Sequence, residues 1–121
     1  NARALCGHPR NLTDDMLRAL AEKGGVAGLN FYPLFLRDGG KNVTVDDIAR
    51  HAAHMLRVAG EELPALGSDF DGFKMKENKD YLQDAGDMEK LWYSLNKQKI
   101  TERQIDGIWS GNAARLIRNV L

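Results

Sequence analysis

The chain has 121 residues, 43% of them hydrophobic and 28% charged, with 17 basic and 17 acidic side chains that cancel. That composition belongs to a folded globular chain with room for one core, and it excludes disordered and fibrous classes. With no net charge, nothing in the balance draws the chain to nucleic acid or anionic lipid. No apolar run approaches the roughly 18 residues that read as a membrane span, so no membrane contact is expected from this segment. The single cysteine, Cys6, precludes an intrachain disulfide and mildly favours a reducing, cytoplasmic setting. Asn1-Ala2-Arg3-Ala4-Leu5 has neither an initiator Met nor the layout of a signal peptide, and reads as a start within a longer protein.

Thr13 precedes Asp14 and Asp15, and Met16, Leu17, Leu20 and Ala21 follow at the spacing of one buried helix face. Thr13 caps, and the two aspartates suit the positive helix start. Gly24-Gly25 ends this helix. The apolar run Val26 to Tyr32, closed by Pro33, reads as a buried strand. Arg37 to Val43 is a polar loop leading to a second cap at Thr44, after which Ile48, Ala52, Met55, Leu56 and Ala59 recur at helical spacing up to Gly60. Leu63 to Gly67 then forms a short apolar strand that delivers Ser68-Asp69-Phe70-Asp71-Gly72. Helix followed by strand thus occurs twice, which argues for a parallel sheet covered by helices, with functional groups beyond the carboxyl ends of the strands.

Residues 73 to 86 are lysine-rich and read as an exposed loop. Asp87 opens a helix with Met88, Leu91, Trp92 and Leu95 on one face. Thr101 to Gln104 fits a capping box with Ile105, Ile108 and Trp109 behind it, and Gly111-Asn112 is expected to break that helix before a last one bearing Leu116, Ile117, Val120 and Leu121. Two strands fall far short of the eight in a (β/α)8 barrel of roughly 250 residues. The chain therefore reads as the C-terminal portion of an α/β barrel rather than a whole domain.

Among chemistry-bearing residues, Asp69 and Asp71 stand out, since in an extended segment both project to one face and Gly72 lets the backbone turn after them. A solvated acidic turn accounts for so short a motif equally well. Arg10, on the Pro-stiffened loop His8-Pro9-Arg10-Asn11, is suited to clamp a carboxylate with both arms of its guanidinium, or to remain a surface arginine. Asn30, at the end of the first strand, offers an amide to a ligand, although satisfaction by neighbouring backbone is the commoner fate of such a residue. His51 and His54, with Asp47 a turn earlier, could share a metal, but no further donor is near and a solvated helix face is the better reading. Asn11-Leu12-Thr13 and Asn42-Val43-Thr44 match the glycosylation acceptor pattern, yet both threonines have a role as helix caps. Cys6 is read as a small packing residue.

In combination these segments resemble the renal or membrane dipeptidase family of zinc peptidases, which is related to the amidohydrolase-like barrels. The matching stretches, in order, are Asn1 to Cys6 with His8 to Asp14, Asn30-Phe31-Tyr32-Pro33, Thr44 to Asp47, Gly67 to Gly72, and Gly111-Asn112 before Arg115. The resemblance implies a barrel enzyme in which a water bridging two zinc ions attacks a dipeptide, the metals polarising the scissile carbonyl. It implies a proton-shuttling role for Asp69, a carboxylate-binding role for Arg10, and a pocket lined by Asn30, Tyr32, Phe35 and Asp71. The family's metal ligands fall upstream of Asn1, the last in a Ser-His-Ser, so no metal ligand is expected in this segment. Its implied partners are the dipeptide substrate, the N-terminal part of the same barrel and, as an open alternative, a second copy of the chain. Phe35 stands where vertebrate relatives carry a tyrosine, and Pro64 and Ala113-Ala114 depart from the family's commoner apolar residues.

Two other readings remain. Leu66 to Gly72 also resembles the strand-borne Asp-x-Asp-Gly of haloacid-dehalogenase-like phosphatases, with Asp69 as nucleophile beside Mg2+. Against it, Phe73 occupies the place of that family's Thr, and the 49 residues after Gly72 are too few for the rest of such a domain. A non-catalytic binding module is the third.

Overall fold

In the computed structural model, which describes residues 1–69, 81–82 and 85–121, helices surround a two-stranded parallel sheet. Helix α1 (Asp14–Glu22) leads to β1 (Ala27–Asn30), and α2 (Val45–Ala59) leads to β2 (Pro64–Ser68). Then come α3 (Met88–Lys97), α4 (Glu102–Asp106) and α5 (Asn112–Val120). The strands pair in parallel, Ala27 with Pro64 and Leu29 with Leu66, as the alternation of helix and strand leads one to expect. Pro64 is tolerated because it is the first residue of its strand.

Local chemistry explains where the helices begin. Thr13 Oγ1 accepts the Met16 N–H at 3.2 Å, and Thr101 exchanges bonds with Gln104, its hydroxyl accepting Gln104 N–H at 3.2 Å and its own N–H donating to Oε1 at 3.0 Å. At the start of α2, the Asp47 carboxylate takes the Thr44 N–H at 2.9 Å. Gly24, at φ 75°, lets the chain leave α1 in a conformation that costs other residues energy.

One core joins Leu17 of α1, Leu29 and Phe31 of the first strand segment, Ile48, Ala52 and Met55 of α2, Leu91 and Leu95 of α3, and Ile105 and Ile108. Helix α2 lies between α1 and α3, and Ser94 and Lys97 of α3 both donate to Asp46. On the opposite face of the sheet, Gly28 and Gly67 bring their backbones together, so that a Cβ on Gly28 would stand 3.1 Å from Gly67 Cα. Only side-chain-free residues allow that approach.

Several expectations need correction. The first strand is shorter than Val26 to Tyr32: it ends at Asn30, and Pro33–Phe35 turns as a 3-10 helix because Pro33 fixes φ and withholds an N–H. Gly111-Asn112 does not break the last helix. A π-type turn over Gly107–Gly111 carries α4 into α5 while Asn112 is drawn inward, its amide donating to Glu61 O and Pro64 O at 2.9 and 2.8 Å. Met16 is half exposed although the rest of its stripe packs on the core, and Ile117, Val120 and Leu121 of the last stripe are largely in solvent. Within the lysine-rich stretch expected to be an exposed loop, Tyr81 and Leu82 are fully buried, and the Tyr81 hydroxyl donates to Phe31 O. Among the described residues no helix is long and apolar enough to cross a membrane.

Candidate functional site

At the carboxyl ends of the two strands the ladder slips: Leu29 faces Leu66, but Asn30 faces Ser68, leaving Gly67 as an extra residue in β2. Such a bulge bends the strand and re-aims the residues beyond it. Ser68 and Asp69 then take positive φ, 38° and 71°, an uncommon conformation that Asp tolerates better than most residues. Phe31 N–H donates to Ser68 O at 2.8 Å and holds this turn against the end of β1. As a result Asp69 comes within reach of Asn30, whose Nδ2 donates to Asp69 Oδ2 at 3.3 Å.

Asn30 is half-buried and employed at every group. Its Oδ1 accepts Tyr32 N–H at 2.8 Å, its own N–H donates to Asn1 Oδ1 at 2.8 Å, and its carbonyl accepts from Asn1 Nδ2 at 2.7 Å. The expectation that its amide is satisfied by neighbouring backbone holds for the oxygen alone, because the nitrogen faces Asp69.

Tyr32 leads to the second half of the cluster. Its ring meets Phe35 edge-on at 5.0 Å, His8 meets the same Phe35 ring at 4.7 Å, and the Arg10 guanidinium lies over it at 5.3 Å. The exposed Arg10 is thus held against an aromatic face, a placement that suits its flat, weakly hydrated cation. His8 Nδ1 accepts Arg10 N–H at 3.1 Å, which shapes the turn that presents the arginine. Asn30, Tyr32, Phe35, Arg10 and Asp69 therefore form one chain of contacts. Asp71 lies outside the described residues, as does Phe73.

The loop carrying Arg10 is tied to the Phe35 segment by buried amides. Asn11 Nδ2 donates to Cys6 O at 3.0 Å and Phe35 O at 2.8 Å, and Asn1 Nδ2 adds a bond of 3.3 Å to Phe35 O. The sequence shows Asn11 as part of the Arg10 loop and of a glycosylation pattern, but at 1% exposure its amide serves to tie that loop to Cys6 O and Phe35 O. Cys6 is buried with its thiol donating to Leu34 O, and burial pushes its pKa up, away from nucleophilic use.

His51 and His54 do not line a solvated face. His51 is fully buried, and its ring joins two segments: Nδ1 accepts Ala2 N–H at 3.1 Å, while Nε2 donates to Leu36 O at 2.9 Å. His54 pairs with Asp14 at 2.7 Å, and Asp47 is engaged by Arg37 and Arg50. Among the described residues no group of three or more His, Cys, Asp or Glu side chains could hold a metal ion. The described donors of this chain therefore do not by themselves make up a metal centre.

Burial holds the His51 pKa below the usual imidazole value, the bond to Leu36 opposing this less strongly. The unfolded chain takes up a proton near pH 6.5 that the folded chain refuses, so stability falls as pH drops below about 6.5, by up to about 1.4 kcal/mol per unit until the folded pKa is reached. Urea unfolding of the intact protein between pH 7.5 and 5 measures this, and His51→Gln flattens the slope.

The membrane dipeptidase family (Peptidase family M19) matches residues 1–121. The chain belongs to this family. It is 38% identical to a Klebsiella pneumoniae protein described as an uncharacterized protein in the pqqA 5′ region, over 99% of this chain and 44% of that protein. It is 37% identical to the uncharacterized dipeptidase C965.12 of Schizosaccharomyces pombe, over 96% of this chain and 28% of that one. The chain thus spans less than half the length of either relative. Among solved structures it resembles dipeptidase AC, a metallopeptidase of family M19, with a TM-score of 0.81 and 30% identity over 93% of this chain and 32% of that one. A metallopeptidase from Rhodobacter sphaeroides, liganded with a phosphinate mimic of the dipeptide L-Ala-D-Ala, superposes with a TM-score of 0.83 and 28% identity over 98% of this dipeptidase-family chain and 34% of its own.

Proposed function

We propose that residues 1–121 are the C-terminal part of one (β/α)8 catalytic domain, and that the complete protein is a zinc-dependent dipeptidase cleaving dipeptides with a free terminal carboxylate. The observation that carries this reading is the contact between Asn30 and Asp69 at the strand ends, continued through Tyr32 and Phe35 to Arg10. It supplies an acid–base group and a carboxylate clamp on one connected framework, the two elements that binding and splitting a short peptide require. The likeness to a metallopeptidase that takes a dipeptide mimic supports the substrate class.

In this scheme Asp69 holds and returns the proton moved during hydrolysis, and Asn30 orients its carboxylate. Arg10 grips the substrate's terminal carboxylate, with Phe35 as its platform and Tyr32 and Asp71 along the pocket. Zinc is assigned to residues of the preceding part of the domain, and the 121 residues alone are expected to be inactive. Membership of the dipeptidase family over the whole chain weighs against the phosphatase reading of Asp69 and Asp71.

The test compares intact protein with the isolated segment. The intact, zinc-loaded protein is expected to hydrolyse an Ala-Ala dipeptide, and the segment to show neither hydrolysis nor stoichiometric zinc. An intact protein that releases phosphate from a monoester but leaves dipeptides whole would overturn the reading. So would an active, zinc-loaded segment.

A further inference from the structure

Helix α2 presents Asp47, His51 and His54 at i, i+4 and i+7, one above another on a single face. Each side chain reaches a different part of the molecule: Asp47 takes Arg37, His51 takes Ala2 and Leu36, and His54 takes Asp14 of α1. Of the three, His51 alone contacts both segments that carry the clamp. Ala2 is bridged to Leu12, with Arg3 N–H donating to Leu12 O and Leu12 N–H to Asn1 O, both at 2.8 Å, so it is the root of the loop bearing Arg10. The Arg3 side chain reinforces that loop by donating to Asn11 O and Pro9 O. Leu36 directly follows Phe35.

The Arg10 loop and the Phe35 segment are bonded to each other through Asn1, Asn11 and Cys6. They behave as one unit, and His51 fastens that unit to the helix packed on the sheet. Asp69, in contrast, is carried by β2. Asn1 also ties that unit directly to Asn30 beside Asp69, and the imidazole adds a second anchor of fixed length, from α2 to the clamp unit at Ala2 and Leu36. With both ring nitrogens bonded, one accepting and one donating, it is held as a single neutral tautomer.

We propose that His51 is a positioning residue that sets the offset between the carboxylate clamp at Arg10 and the acid–base group at Asp69. This rests on the dipeptidase reading given above. A substrate anchored by its carboxylate meets Asp69 in register only if the offset is right, and displacements near 1 Å can cost up to about a hundredfold in rate. A substrate without the anchor is indifferent to the offset.

The test is a double-mutant cycle in the intact, metal-loaded enzyme, with Ala-Ala and Ala-Ala amide as substrates. His51→Leu removes both bonds, His51→Asn keeps an acceptor near Ala2 N–H, and His51→Gln keeps a donor near Leu36 O. Expected is a loss in kcat/KM of about tenfold or more for the free acid in His51→Leu, partial recovery in His51→Asn or His51→Gln, and a loss below about threefold for the amide. In an Arg10→Lys background the His51 effect on the free acid should shrink to that small value, because the anchor is already gone. Equal losses on both substrates, or losses that multiply independently of Arg10, would make His51 an ordinary structural residue and overturn the proposal. Should His51→Leu fail to fold, the Asn and Gln variants decide by the same coupling criterion. A wild type that cleaves no dipeptide instead removes the dipeptidase reading and this proposal together, whereas an active wild type with uncoupled variants removes only the proposal.

Discussion

If Asp69 carries the proton as proposed, Asp69→Asn in the intact protein should lower kcat for a dipeptide by about a hundredfold to ten-thousandfold, the range that a positioned proton carrier contributes. The substitution is favourable for interpretation. Asn is among the few residues at ease with the positive φ of 71° found at Asp69, and its oxygen can still accept from Asn30 Nδ2. Backbone and neighbours therefore stay in place, and only proton exchange is lost. KM should change little, since the group matters as the proton moves rather than as substrate docks. Zinc content should remain at the wild-type level, because Asp69 belongs to no cluster of potential ligands among the described residues. Steady-state kinetics with metal analysis checks both halves, and loss of zinc would show Asp69 to be a ligand instead.

Arg10→Lys should raise KM for a free dipeptide by roughly tenfold to a hundredfold, equivalent to the ~1.5–3 kcal/mol of a hydrogen bond to a charged group. Lysine keeps the charge but not the fork, and it fits poorly over the Phe35 ring where the guanidinium lies 5.3 Å from the centroid. An amidated dipeptide lacks the anion that the fork would grip, so its KM should rise by no more than about threefold. Parallel losses for acid and amide would place the terminal carboxylate elsewhere. Because Arg10 is exposed, its replacement should leave the unfolding midpoint almost unmoved, which separates the binding effect from stability.

Much of this chain is legible in its residues taken in order. Thr13 and Thr101 announce their helices because a cap is a contact across three residues, settled by local chemistry. Alternating helix and apolar run fixes a parallel sheet, since parallel neighbours need a crossover between them. The family resemblance is legible for a related reason, as its motifs are short, ordered stretches.

What periodicity could not decide is which faces meet. Ile117 and Leu121 have the same four-residue spacing as Leu91 and Leu95, yet only the latter pair finds a partner surface in the core. His51 looks like any polar helix residue until two segments, 49 and 15 residues away in sequence, close over it. The approach of Asn30 to Asp69, 39 residues apart, depends on a bulge that shifts the register by one, and that shift is chosen by the packing of the whole sheet. Residue types and local spacing thus determined the elements and their order, because propensities, caps and turns act within a few bonds. Tertiary structure alone decided which atoms meet, Asn30 with Asp69 and Arg10 with Phe35, because register and burial are settled only when distant segments compete for the same contacts.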